Sequence, residues 1–232
     1  MADNGLHSST EFWGAVALAA GAVGVLAVSV LYRLSPPEVA LPAPHPFMPQ
    51  ALEGAIRGAP LLRAASIVGI IADTLLAVGA LAALVVRRSA LERLGWAALA
   101  ISGIVFCLVD ALVGQILPEI AAVPGGDAAF LAMKRLFDVL FIVGAFALGI
   151  GFLGVFQTAF NQGSRVLRSL GLAVGIVALV GVLAHLGGAN AGQPIGFSLL
   201  GGAAVLAIFS TRLALGARSR MAERLPLITV SG

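Results

Sequence analysis

The sequence predicts an all-α fold, a polytopic transmembrane bundle of six helices, and three observations carry that reading. Of 232 residues, 59% are apolar and only 11% are charged, where a soluble domain carries about a quarter charged residues. Charge-poor apolar runs of about 20 residues, the length that crosses a hydrocarbon layer, recur six times. Between and after these runs the arginines gather on one side, as the positive-inside rule expects of a membrane protein. So little charge cannot cover a water-exposed surface, which excludes soluble globular, disordered, coiled-coil and disulfide-rich classes. The single cysteine, Cys107, excludes an intrachain disulfide and any CxxC or cysteine-based metal site.

Taken in order, residues 12–32 form a charge-free first span. Asp3 and Glu11 precede it without a basic residue, and its length exceeds an ordinary signal-peptide core, so it is read as a retained helix. Residues 61–86 are the second span, interrupted by Arg63 and Asp73. Residues 94–117 are the third and carry Asp110, and residues 137–160 are the fourth with Asp138 at their start. From Ser169 to Thr211 no charge occurs, too long a stretch for one span. Gly187–Pro194 (GGANAGQP) is a turn signal in its middle, giving spans at 170–186 and 195–211 joined as a hairpin.

Arg87, Arg88, Arg93, Arg165, Arg168, Arg212, Arg218, Arg220 and Arg224 fall on one side. The other side holds Arg33, Arg57, Arg63, Lys134 and Arg135. This asymmetry predicts both termini in the cytoplasm. Residues 1–11 are then a cytoplasmic tail, 12–216 the transmembrane domain and 217–232 a basic cytoplasmic tail, in a multi-pass protein of the bacterial cytoplasmic (inner) membrane. The external segment 33–60 holds seven of the eleven prolines. Proline fixes φ and lacks a donor, so an extended strap over the bundle mouth is expected. Residues 50–58 read as a short interfacial helix, and Asp127 as the N-cap of the fourth helix.

An ionisable side chain within a membrane needs a partner or a function. The candidates form a polar cluster of Asp73, Asp110, Asp138, Arg63, Lys134, Arg135 and His185. Helical spacing sets Ser66, Gly69, Asp73, Ala77 and Ala80 on one stripe. Gly103, Cys107, Asp110 and Gly114 make a second stripe, and Lys134, Asp138, Phe141, Ala145 and Gly149 a third. Gly171, Gly175, Ala178, Val182 and His185 make a fourth. Small stripes mark close helix approach, which turns the aspartates toward the bundle interior. Asp138 is expected to pair with Lys134 or Arg135 on its own helix, and Asp110 with Arg63 or Arg135 across helices. Asp73 has no cation within a turn. Either it is hydrogen-bonded, to Ser66 or a backbone carbonyl, or it meets water in a cavity. The cluster reads either as salt bridges that pin helices together or as an external-half polar cavity with Asp73 deepest. Cys107 reads as a small core residue, and His45 and His7 as solvated. No HxxxH pair, nucleophile elbow, P-loop or dinucleotide fingerprint occurs. No cofactor, metal or nucleic-acid partner is expected, and no enzyme.

Two segments, GIIADTLLAVGALAALVVRR (69–88) and FLGVFQTAF with RVLRSLGLAVGI (152–176), resemble an uncharacterised bacterial membrane family, domain of unknown function 4386. The resemblance implies a six-span bundle of similar length and no particular activity. Three function classes follow. The first is a membrane binding or scaffold protein, or a complex subunit, whose partners are the lipid bilayer and other membrane subunits or its own copies. The second is a small proton- or cation-linked carrier using the polar cluster. The third is an integral-membrane lipid-acting enzyme.

Overall fold

The structure, a computed structural model, describes residues 3–42, 48–87, 89–158 and 165–224. It is all helical among those residues. The elements are α1 (Asp3–Arg33), the single turn α2 (Pro37–Ala40), α3 (Met48–Val86) and α4 (Ala90–Ala111). A π-helical segment (Leu112–Ile116), α5 (Leu117–Ala121), α6 (Asp127–Thr158), α7 (Arg165–Leu186) and α8 (Gly192–Arg224) follow. Six helices are long and apolar enough to cross a membrane, with α4, the π segment and α5 counting as one. Each packs on its neighbour in sequence, and α1 also packs on α8, so the spans close into a ring.

Small residues set the helix spacing. A methyl group on Gly21 would lie 2.6 Å from Leu76 N, and one on Gly79 2.6 Å from Leu18 N, so α1 and α3 touch backbone to backbone. Gly95 and Gly154 do the same for α4 and α6, and Gly149 and Gly175 for α6 and α7. Without a hydrophobic difference between lipid and side chain, such close van der Waals contact is what holds membrane helices together. Two apolar clusters fill the ring. One lies toward the end that bears α2 and the α7–α8 turn, around Leu62, Val113, Phe137 and Ile195. The other lies toward the opposite, arginine-rich end, around Leu18, Trp96, Phe152 and Phe209. At that second end Glu11 of α1 meets Arg220 of α8 and Arg87 after α3.

The helices overrun the predicted spans. The expected separate helix over 50–58 does not exist, because α3 runs unbroken from Met48 through Pro60 to Val86. Its charges Glu53, Arg57 and Arg63 lie on one exposed face, while Ala51, Ala55 and Leu62 are buried on the other. An amphipathic extension therefore continues the apolar span, and Pro60 costs only the bond to the Ile56 carbonyl. At about 1.5 Å per residue the 39 residues of α3 rise about 58 Å, well beyond a hydrocarbon layer. The expected extended strap over 33–60 is therefore shorter: residues from Met48 onward belong to α3, and among the described residues 34–42 helix is confined to the one turn of α2. The middle of that strap with His45 lies outside the described residues, as do Arg88, Phe160 and the chain after Arg224. Nothing is described of the His7 side chain. Asp127 opens α6 ten residues before the predicted span, which places Lys134 and Asp138 in its third and fourth turns. The α7–α8 hairpin turns at Gly188, whose φ of +87° suits a residue without Cβ.

Candidate functional site

The two small-residue stripes on α3 and α4 face each other. A methyl group on Gly103 would lie 2.8 Å from the Asp73 carbonyl oxygen. One on Gly114 would overlap Ser66, and one on Gly69 would overlap Asp110 Oδ2. This register sets Asp110 level with Gly69, one turn from Asp73. Side chains tilt toward the N-terminus of their own helix. On antiparallel helices with that offset, the Asp73 and Asp110 side chains therefore lean toward each other.

They meet. The two carboxyl groups lie close enough to interact, and both are buried, Asp73 at 7% and Asp110 at 4% exposure. Asp110 Oδ1 also accepts the Tyr32 hydroxyl of α1 at 2.7 Å. Its Oδ2 is buried without a hydrogen-bond partner among the described residues. Two carboxylates buried side by side repel each other and lose their hydration, so the pair needs a proton or a cation to balance it.

Both aspartates line a cavity of about 80 Å³ between the two apolar clusters. Its wall comes from α1 (Val25, Ser29, Tyr32), α3, α4, α6 (Phe137, Phe141) and α8 (Leu199, Ala203), and among the described residues it includes no Lys, Arg or His. At about 10–15 Å³ of such space per water, it holds several. Toward the α2 end it adjoins a vestibule of about 240 Å³, bounded by Arg33, Pro37, Leu41 and Gln193. Ser29, Tyr32, Ala40, Phe141 and Leu199 line both spaces. Arg33 at the vestibule lies 4.1 Å over the Phe197 ring.

Directly after Asp110 the third span widens into the π turn at Leu112–Ile116. Pro118 supplies a reason, since it has no N–H for the Gly114 carbonyl and its ring crowds that turn. Such turns recur at functional sites. Cys107, one turn before Asp110, donates to the Ile70 carbonyl at 3.6 Å and lies 3.4 Å from Thr74 Oγ1.

The remaining candidates separate from this pair. Lys134 is fully buried, with Nζ 2.7 Å from Asp138 Oδ1, so the expected pairing within α6 is present. The same ammonium donates to the Leu41 carbonyl at 2.9 Å and lies 4.1 Å over Phe137, fastening the strap to the bundle. Arg135, Asp138 and His185 line a different groove of about 670 Å³ on the outer surface between α6 and α7. Arg63 is bound to Glu119 at the α2 end.

One expectation is therefore corrected. Asp110 pairs with neither Arg63 nor Arg135, because Tyr32 donates to it and Glu119 takes Arg63. Of the two alternatives for Asp73, the structure has the cavity, and the Ser66 hydroxyl accepts from Gln115 at 3.3 Å. Sequence reasoning missed Tyr32 and Glu119. Tyr32 is the chain's one tyrosine, at the end of the first span. Glu119 is the acid nearest the end of the third, antiparallel to Arg63.

Among the described residues no group of three His, Cys, Asp or Glu side chains is placed to hold a metal ion. No protein-family model, curated protein or solved structure matches the chain.

Proposed function

We propose that this chain is a small proton- or cation-linked carrier, in which solute passes from the α2 end through the vestibule to the Asp73–Asp110 pair. The observation that carries this reading is the cavity that joins a vestibule to two buried, adjoining carboxyl groups, with no Lys, Arg or His among the described residues of its wall. A scaffold needs flush helix faces and no such space. A salt-bridge pin needs an opposite charge, and the Asp73–Asp110 pair has none among its partners. The π turn beside Asp110 supports the same reading, since irregular backbone at membrane depth is tolerated where it lines a cavity. In this reading the chain sits in a bacterial cytoplasmic membrane, with the vestibule outward and both termini inward, on the strength of the arginine asymmetry.

The test is proton flux in proteoliposomes that enclose a pH-sensitive dye. Sodium, potassium and alkylammonium salts are added in turn outside the vesicles. The reading expects at least one cation to drive proton movement in the wild type, and none to do so in the Asp73→Asn/Asp110→Asn variant. Equal traces for wild type, variant and empty vesicles with every cation would contradict it.

A further inference from the structure

We propose that the Asp73–Asp110 cavity binds a monovalent organic ammonium ion, which replaces one proton of the carboxyl pair. This deepens the carrier reading and rests on it for the route of access.

Charge balance comes first. With one proton between them the two carboxyl groups carry one negative charge, in a wall without a compensating cation. An isolated buried charge is strongly disfavoured, so the site is balanced by a second proton or by a monovalent cation. The groups facing the pair leave no third choice. From α1 comes the Tyr32 hydroxyl, which already donates to Asp110. From α4 the neutral Cys107 thiol lies near the acids, and its neighbour Thr74 on α3 is neutral and exposed. From α6 come Phe137 and Phe141, and from α8 Leu199 and Ala203. Lys134 of α6 is committed to Asp138 and the Leu41 carbonyl. Binding of a monovalent cation thus releases one proton, and the proton that remains keeps the two carboxyl groups from repelling each other.

The chemistry of the wall then selects the cation. A bare metal ion needs a shell of oxygen ligands. Apart from the two carboxyl groups, the side-chain oxygens of this wall are those of Ser29, Tyr32 and Ser102. Tyr32 is engaged by Asp110, and the Ser102 hydroxyl donates to the Gly144 carbonyl at 3.0 Å. What the wall offers in quantity is apolar and aromatic surface, with Phe106, Phe137 and Phe141 around the acids. An ammonium with an apolar body uses both features. Its charge lies on the carboxylate, and its alkyl or aryl groups lie on the rings, which attract cations through their faces. The adjoining vestibule provides length for a larger body.

The experiment is calorimetric titration of the purified protein with benzyltrimethylammonium, in two buffers of different ionisation enthalpy, with sodium and potassium as comparison ions. The expected result is saturable binding with one proton released per ammonium. Phe106→Leu should weaken binding by about tenfold, and Asp110→Asn should abolish the proton release. Benzyltrimethylammonium binding without proton release would overturn the proposal. So would proton release by sodium or potassium alone, which leaves the carrier reading standing. If no cation binds or releases a proton, both fall. Should Asp110→Asn fail to fold, the wild-type proton count alone decides.

Discussion

Replacing Gly69 by alanine tests the geometry of the carboxyl pair with one methyl group. Gly69 lies where α3 passes Asp110, and a Cβ there would overlap Asp110 Oδ2. The carboxyl cannot simply swing away, because its other oxygen holds the Tyr32 hydroxyl at 2.7 Å and the Asp73 carboxyl lies beside it. Overpacking of this kind costs about 1–3 kcal/mol. Loss of a hydrogen bond to a charged group adds about 1.5–3 kcal/mol. The expected destabilisation is therefore about 2.5–6 kcal/mol. At roughly 2–4 °C per kcal/mol for a chain of this length, the thermal midpoint should fall roughly 5–24 °C in detergent. Gly201→Ala is the internal control. A methyl group there would meet only Val174 Cγ2 at 3.6 Å, an ordinary contact in the middle of α8. That substitution should be neutral, or stabilising by up to about 1 kcal/mol from helix propensity. Differential scanning fluorimetry on both variants reads the contrast. If Gly69→Ala unfolds within about 2 °C of the wild type, Asp110 is not wedged between Gly69, Tyr32 and Asp73, and the derivation of the site fails.

Further outcomes follow from the polar residues around the site. Lys134→Met removes the ammonium that joins Asp138 to the Leu41 carbonyl, and breaking a buried ion pair costs about 3–5 kcal/mol. The midpoint should fall, and most of the loss should return in the Lys134→Met/Asp138→Leu variant; a further drop in that double variant would contradict the pairing. Among the described residues Arg33 is the one formal charge that borders the vestibule. Arg33→Gln should therefore speed association of benzyltrimethylammonium severalfold at low salt, with the gain shrinking as salt rises. Stopped-flow tryptophan or dye signals would read it, and an unchanged or slower rate would show that cations do not pass Arg33.

The six spans were legible because each apolar run is long enough to be nothing else. Their ends were not. At the start of α3, Glu53, Arg57 and Arg63 interrupt the apolar pattern, yet they occupy one exposed face of a helix that continues beneath them. Hydropathy averaged along a chain cannot separate a charged face from a charged loop. The stripes of Gly69 and Asp73 and of Gly103 and Asp110 were legible from helical spacing, and the two do lie against each other. Their consequence was not, because charge logic seeks an opposite charge for every aspartate. The pairing of two acids depends on the one-turn offset between antiparallel helices, and that offset is set by the contacts of Gly103 and Gly114. Arg63 with Glu119 follows from the same register, and once α3 and α4 are aligned the pair is readable.

The central claim is that the carboxyl pair is reached from the α2 end of the bundle. Ser29 lines both the vestibule and the inner cavity, so it reports on that route. In a Cys107→Ser background, Ser29→Cys should react with a membrane-impermeant, cationic thiosulfonate added to sealed vesicles. The vesicle face from which it reacts should be the one that labels Asn190→Cys in the exposed α7–α8 turn. Prior benzyltrimethylammonium should slow the reaction. If Ser29→Cys reacts only from the opposite face, or only after detergent, the vestibule does not lead to Asp73 and Asp110.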